Sequence, residues 1–69
     1  MTLTAILTPD PDGGYVAFNP ETGTTTQGES LDEAVANLKE ATELYLEEFP
    51  LPPRPARSAV LTTFEVAVA

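Results

Sequence analysis

The chain has 69 residues, three basic against eleven acidic, a formal net charge of −8, and neither cysteine nor histidine. So short a chain accommodates one domain with a small core, without disulfides or thiolate metal ligands to reinforce it. The three cations, Lys39, Arg54 and Arg57, are too few for a nucleic-acid footprint, and the acidic balance repels anionic membranes.

Three short strands are predicted in the first 28 residues. The alternating TLTAILT, residues 2–8, indicates the first strand, which two prolines then end. The turn at 12–14 contains two glycines and leads to the second strand, YVAF, at 15–18. The turn NPETG leads to the third, TTTQ, at 24–27. The N-terminus shows neither a positive region nor a long apolar run, so we expect no signal peptide or membrane span and a cytoplasmic location.

A capped amphipathic helix is predicted next. Ser30 and Glu33 form the S-x-x-E pattern of a capping box, in which the serine hydroxyl accepts from the Glu33 N–H. Glu47 and Glu48 lie where the helix dipole favours cations, which suggests that this charge has another use. An apolar stripe suited to a sheet recurs at three- and four-residue steps: Leu31, Ala34, Val35, Leu38, Ala41, Thr42, Tyr45 and Phe49.

The remaining chain predicts a linker and a fourth strand. FPLPPRPAR, residues 49–57, has four prolines within six residues and favours an extended polyproline II link. Its P-x-x-P-x-R, from Pro52 to Arg57, superficially fits an SH3 ligand, although the linking role is the stronger interpretation. The alternating VLTTFEVAV, residues 60–68, predicts the last strand.

These elements predict an α+β fold with the order βββαβ. A right-handed crossover gives a four-stranded mixed sheet of order three-two-one-four, with the helix packed on one face. The other face is apolar and uncovered, so we expect a homo-oligomer, a dimer or a tetramer. Residues 1–69 are expected to form one domain, with no C-terminal DNA-binding domain.

Catalysis is not expected. Without histidine or cysteine, no Ser/His/Asp, Cys/His or histidine-based metal site exists, and no glycine-rich phosphate loop is present. Asp10 and Asp12 are better explained by side-chain-to-backbone hydrogen bonds in their turn than by metal binding. We therefore predict no catalytic residue, cofactor or metal.

Five segments in order carry a family resemblance: GYVAF at 14–18, TQGESLDEA at 26–34, NLKEA at 37–41, ELYLE at 43–47 and LTTFEV at 61–66. Over nearly the whole chain they resemble the HicB antitoxins of type II toxin–antitoxin systems. The resemblance implies a partial ribonuclease H-like fold without nuclease activity. It also implies a partner, HicA, a small basic toxin that cleaves mRNA and that HicB-like proteins block by covering its active site.

The leading hypothesis is thus an antitoxin-like inhibitor whose acidic residues steer a basic toxin toward it. The alternative is a stand-alone module of the same fold that self-assembles or binds a small ligand without a cognate toxin. For each acidic candidate the competing explanation is a solvated charge, and for the tyrosine a core position. The predicted partner-binding residues are Glu40, Glu43, Tyr45, Glu47 and Glu48, with Asp10 and Asp12 as second choices.

Overall fold

The computed structural model describes residues 1–51 and 59–68. Three strands, β1 (Ile6–Pro9), β2 (Tyr15–Asn19) and β3 (Thr24–Gly28), precede one helix, α1 (Leu31–Glu48). The strands form an antiparallel meander in the order β1-β2-β3. The predicted α+β class and the first four elements are therefore confirmed.

Two glycine-containing turns connect the strands. In the β1–β2 turn the Gly13 N–H donates to the Asp10 carbonyl at 2.9 Å, and both Gly13 and Gly14 have positive φ. In the β2–β3 turn the Gly23 N–H donates to the Asn19 carbonyl at 2.8 Å, and Gly23 has a φ of 79°. Glycine adopts these left-handed conformations without a steric penalty, so both turns form where the sequence predicts them.

The first strand, Ile6–Pro9, is shorter than the predicted 2–8 and includes Pro9, which the sequence predicts to end it. The β1–β2 register pairs Ile6 with Phe18, which would place Thr4 opposite Pro20. Because proline has no N–H, the side chain of Asn19 donates to the Thr4 carbonyl instead, at 2.8 Å. The Thr4 N–H donates in turn to the carboxylate of Glu21 at 2.8 Å. At this end of the sheet, side-chain hydrogen bonds thus replace the backbone hydrogen bonds between the first two strands.

The helix begins at the predicted cap. Ser30 has extended backbone angles, and its hydroxyl accepts from the Glu33 N–H at 3.1 Å. A serine in this position stabilises a helix by about 1 kcal/mol. Two bonds then fasten the helix to β3: the Thr26 hydroxyl donates to the Ala34 carbonyl at 3.1 Å, and the Asn37 amide donates to the Gln27 carbonyl at 2.8 Å.

The core lies where α1 crosses β2 and β3, and it is small. Ala17 and Ala34 are fully buried, and Leu38 is nearly so. Of the predicted apolar stripe, only Ala34, Leu38 and Thr42 are buried in the helix. Val35, Tyr45 and other members of that stripe are more than a third exposed. On the opposite sheet face Phe18 is also 38% exposed.

The predicted fourth strand is wrong for this structure. Residues 59–68 form no strand, and all of them are exposed. The free edge of β1 is four residues long and ends in proline, so it offers few N–H groups to a parallel neighbour. Alternation of apolar and polar residues shows that a segment could present one apolar face to a core. To form a strand, the segment must also pair with the edge of a sheet. The described sheet is therefore three-stranded and antiparallel, not mixed.

The SH3-like stretch from Pro52 to Arg57 lies outside the described residues.

Candidate partner-binding surface

The solvent side of α1 carries a row of carboxylates. Glu40, Glu43 and Glu47 recur at three- and four-residue spacing, so they share one face of the helix, and all three are exposed. We call these three residues the acidic ridge. Leu44 lies beside them and is 59% exposed. The last helical turn contains no basic residue, so neither a cation nor the helix dipole offsets the charge there.

The C-terminal end of the helix also exposes apolar and aromatic groups. The rings of Tyr45 and Phe49 are tilted by 37°, with centroids 5.1 Å apart, and the two side chains are 38% and 61% exposed. No residue of the helix between 43 and 48 is buried. Glu48 is exposed in the same turns. Aromatic groups are enriched in surfaces that contact other proteins.

Asp10 and Asp12 occupy a different place. The Asp10 carboxylate accepts from the Asp12 N–H at 2.9 Å, so these residues shape their turn as the sequence predicted. Their turn leads to Gly14, which lies against Gly28 and Glu29 at the start of the helix. Glu47 and Glu48 are at the far end of a helix about 27 Å long. The structure groups the predicted helix residues but does not bring the aspartates to them.

An open groove runs along the inner side of the helix. It has a volume of about 560 Å³ and lies between residues 1–5 and α1. Its walls are largely apolar, with Leu3, Val35 and Leu46 among them. Lys39 and Glu43 also line it, so its two charged groups balance. Sequence reasoning did not find this groove, because it depends on the helix packing over β2 and β3 and leaving the β1 side open.

A polar cluster at the end of the sheet was also missed. Asn19 is 1% exposed, and its amide donates to the Thr4 carbonyl and, at 2.7 Å, to a carboxylate oxygen of Glu21. Its oxygen accepts from the Thr22 N–H and hydroxyl at 2.8 and 2.6 Å. Glu21 further accepts from the Ala59 N–H at 3.1 Å. The only sequence signal was NPETG itself, which had been interpreted as a simple turn.

The same contacts shift the ionisation of Glu21. Burial opposes the charged form and is the largest single influence on its pKa. The bonds from the Thr4 and Ala59 N–H groups, the Thr4 hydroxyl and the Asn19 amide together outweigh burial and lower the pKa from 4.5 to about 2. The carboxylate therefore serves as a structural acceptor that joins three segments of the chain.

Replacing Glu21 should consequently change how stability depends on pH. The carboxyl titrates lower in the folded than in the unfolded chain, so its contribution is complete above pH 4.5 and lost as pH falls toward 2. We expect Glu21→Gln to be less stable than the wild type at pH 7 and the gap to close between about pH 5 and 2. Urea unfolding across this range, with the exposed Glu29→Gln as the control, measures the gap. A gap independent of pH would contradict the role of Glu21.

The described residues offer little for metal-dependent chemistry. Within 1–51 and 59–68 no three acidic side chains lie close enough to hold one metal ion. Every buried polar side-chain atom in the same ranges has a hydrogen-bond partner. What the geometry provides is an acidic, partly aromatic helix end and an apolar groove. Both features belong to the described βββα arrangement.

Comparison with known proteins places the domain in a family. The chain is 46% identical over 48 residues to a UPF0150 protein of Thermoplasma acidophilum, covering 68% of this chain and 70% of that protein. It is 47% identical to UPF0150 proteins of Helicobacter pylori, over 47 residues, and of Synechocystis, over 45. The chain belongs to the UPF0150 family.

The extent of these matches differs among the relatives. The aligned part covers 67% of this chain and 64% of the Helicobacter protein, and 64% of this chain and 57% of the Synechocystis protein. No protein-family model matches the chain, and no solved structure matches it significantly. No helix among the described residues is long and apolar enough to cross a bilayer.

Proposed function

We propose that this protein is a HicB-like antitoxin that binds and neutralises a small basic, mRNA-cleaving toxin of the HicA type by covering its active site. The observation that carries the proposal is the acidic ridge, Glu40, Glu43 and Glu47, exposed on one helix face. The ordered sequence segments that resemble HicB supply the class of partner. Membership of the UPF0150 family is compatible with this function and does not specify it.

The chemistry of the surface suits a cationic protein. Three carboxylates on successive turns create a local negative potential, which raises the association rate of a basic partner. The exposed Leu44, Tyr45 and Phe49 lie in the same turns and provide apolar contact area once the partner has arrived. In this proposal the chain acts by binding and not by catalysis. Its location is the cytoplasm, where such a toxin cleaves mRNA.

The direct test is neutralisation in cells. Where a gene for a small basic protein lies next to the gene for this chain, that protein is expressed with and without this chain, and growth is followed. Arrest that this chain relieves would support the proposal. Full toxicity despite soluble co-expression, together with no binding of the purified proteins by calorimetry, would refute it.

The acidic ridge can be tested separately by charge reversal. We expect Glu40→Lys, Glu43→Lys and Glu47→Lys together to slow association with the basic partner at least about tenfold at low salt, because steering depends on local charge. This triple variant has a net charge of −2, since each change adds two to the original −8. Surface plasmon resonance at low and high salt measures the rate.

A matched variant separates local from overall charge. This control variant carries Asp10→Lys, Asp12→Lys and Glu29→Lys. It alters the net charge by the same amount as the ridge variant, but near the other end of the helix. We expect this variant to associate within about threefold of the wild-type rate, with the two triple variants converging at high salt. An equal loss in both variants would show that the ridge is not the contact, and a loss only in this one would transfer the contact to the aspartate turn.

The alternative, a stand-alone self-assembling or ligand-binding module, is favoured by a different observation. The groove of about 560 Å³ is open in the single chain and is large enough for a small apolar molecule. Thermal shift assays with and without the purified basic neighbour distinguish the two functions. Stabilisation by apolar ligands but not by that neighbour would support the alternative.

A further inference from the structure

The groove leaves one side of the helix–sheet contact unfinished. Helix α1 packs on β3 and β2, while residues 1–5, which lead into β1, form the opposite wall. Met1, Leu3 and Ala5 line this wall, and Ala5 packs against the core together with Leu7. The groove therefore extends the apolar core toward the free edge of β1.

One apolar segment of the described chain is largely exposed to solvent. We call residues 59–68 the tail. Val60, Phe64 and Val68 are 89%, 82% and 88% exposed, and Leu61 and Val66 are 66% and 70% exposed. Burial of such side chains is the main driving force of protein association, so this much exposure in one short segment marks a contact surface.

The tail begins at its own domain but remains exposed. The Ala59 N–H bonds to Glu21, which also holds Thr4, so the tail begins near the start of β1. The residues after it nevertheless remain exposed and leave the groove open. The radius of gyration is 14.1 Å, whereas a compact chain of this length has about 11 Å. An exposed segment of this kind is placed to reach another molecule.

We propose that the tail of a second copy fills the groove, so that two chains exchange tails in a symmetric dimer. Its alternating side, with Val60, Phe64, Val66 and Val68, contacts the apolar walls and lies beside the free edge of β1. Each chain has one tail and one groove. Reciprocal exchange therefore buries both tails and both grooves, and the assembly is a closed dimer. This inference does not depend on antitoxin activity.

Charge favours a second copy as the occupant. Two chains of net charge −8 repel each other over most of their surfaces. The tail, however, has a single charged residue, Glu65, and the groove has Lys39 and Glu43. The proposed contact therefore joins weakly charged parts of both chains: of the acidic ridge only Glu43 lines the groove, and Glu40 and Glu47 stay outside it. A strongly basic partner would find little negative charge in this groove.

The chain contains no cysteine, which permits a clean thiol-trapping test. A Phe64→Cys chain, activated as its mixed disulfide with thionitrobenzoate, is mixed with a Val35→Cys chain. Val35 lines the groove and is 41% exposed; the control, Ala36→Cys, is its exposed neighbour outside the groove. Release of thionitrobenzoate gives the rate, and mass spectrometry identifies the linked chains. We expect Val35→Cys to react at least about tenfold faster than Ala36→Cys, a preference of about 1.4 kcal/mol.

Two outcomes of trapping would overturn the proposal. Equal rates at the two positions would show that the tail does not enter the groove. In a chain carrying both Val35→Cys and activated Phe64→Cys, closure within one chain at a rate unaffected by dilution would show that each tail fills its own groove. Linkage between chains whose rate rises with concentration supports the exchange.

Sedimentation equilibrium provides the second readout. We expect a wild-type dimer, and we expect Phe64→Asp to raise its dissociation constant at least about tenfold. Thr63→Asp adds the same charge on the opposite side of the tail and should change that constant less than about threefold. Circular dichroism confirms that both variants retain the helix. A wild-type monomer at all concentrations, or equal effects of the two substitutions, would contradict the proposal.

Discussion

Replacing Asn19 by alanine should lower the free energy of unfolding by about 2 to 4 kcal/mol, because it breaks four partly buried hydrogen bonds of a buried side chain at once. The amide donates to Thr4 and Glu21 and accepts twice from Thr22. Its removal leaves the Thr4 carbonyl and the Thr22 N–H without these partners in a region where Asn19 is 1% exposed. A domain of this size has about 3 to 10 kcal/mol of stability, so the variant should be partly unfolded at 37 °C.

Asn37→Ala is the matched control. Asn37 makes one bond, from its amide to the Gln27 carbonyl, in an exposed setting. We expect that substitution to cost about 0.5 to 1.5 kcal/mol. Urea denaturation monitored by circular dichroism measures both values. If the two variants lost equal stability, the polar cluster would be no more important than a single surface hydrogen bond.

Gly28→Ala should destabilise the domain by about 1 to 3 kcal/mol through overpacking. A Cβ atom at Gly28 would meet the backbone nitrogen of Ala34, and it would come within 2.7 Å of the Ala34 Cα and 2.8 Å of the Glu33 carbonyl carbon. These are backbone atoms in the first turns of α1, so relief requires moving the helix away from β3. Because Ala34 is fully buried, that movement would also loosen the core.

Gly23→Ala distinguishes contact from conformational strain. A Cβ at Gly23 meets nothing within 4 Å, but its φ of 79° is unfavourable for alanine, so we expect a loss of about 1 to 2 kcal/mol. Only Gly28→Ala should also alter the helix–sheet packing, which near-ultraviolet circular dichroism of Tyr15 and Tyr45 would detect. An unchanged spectrum together with unchanged stability for Gly28→Ala would contradict the close approach.

The parts of the fold that depend on neighbouring residues could be predicted from the sequence. Glycine-containing turns delimit β2 and β3, and Ser30 with Glu33 locates the helix start because a cap acts within one turn. The exposure of Glu40, Glu43 and Glu47 likewise follows from helical periodicity. Each of these signals lies within a few residues of the structure that it specifies.

What escaped prediction depends on distant residues. The short first strand results from Thr4 meeting Asn19 and Glu21, which are 15 and 17 residues away, and no local pattern encodes that meeting. Asp10 and Asp12 share only their charge with the helix glutamates, and the length of α1 separates them from Glu47 and Glu48. Alternation in residues 60–68 predicts a fourth strand, but a strand must also pair with an edge of the sheet, and these residues pair with neither outer edge of the described sheet.

The hydrogen bonds that the Glu21 carboxylate accepts have a consequence for the order of folding. The β2–β3 hairpin and the start of α1 join residues close in sequence, so these contacts can form early at a small cost in loop entropy. The bonds from Glu21 to Thr4 and Ala59 span 17 and 38 residues and bring in both ends of the chain. We therefore expect the hairpin and the helix to form first, and the Glu21 carboxylate to bind Thr4 and Ala59 late in folding.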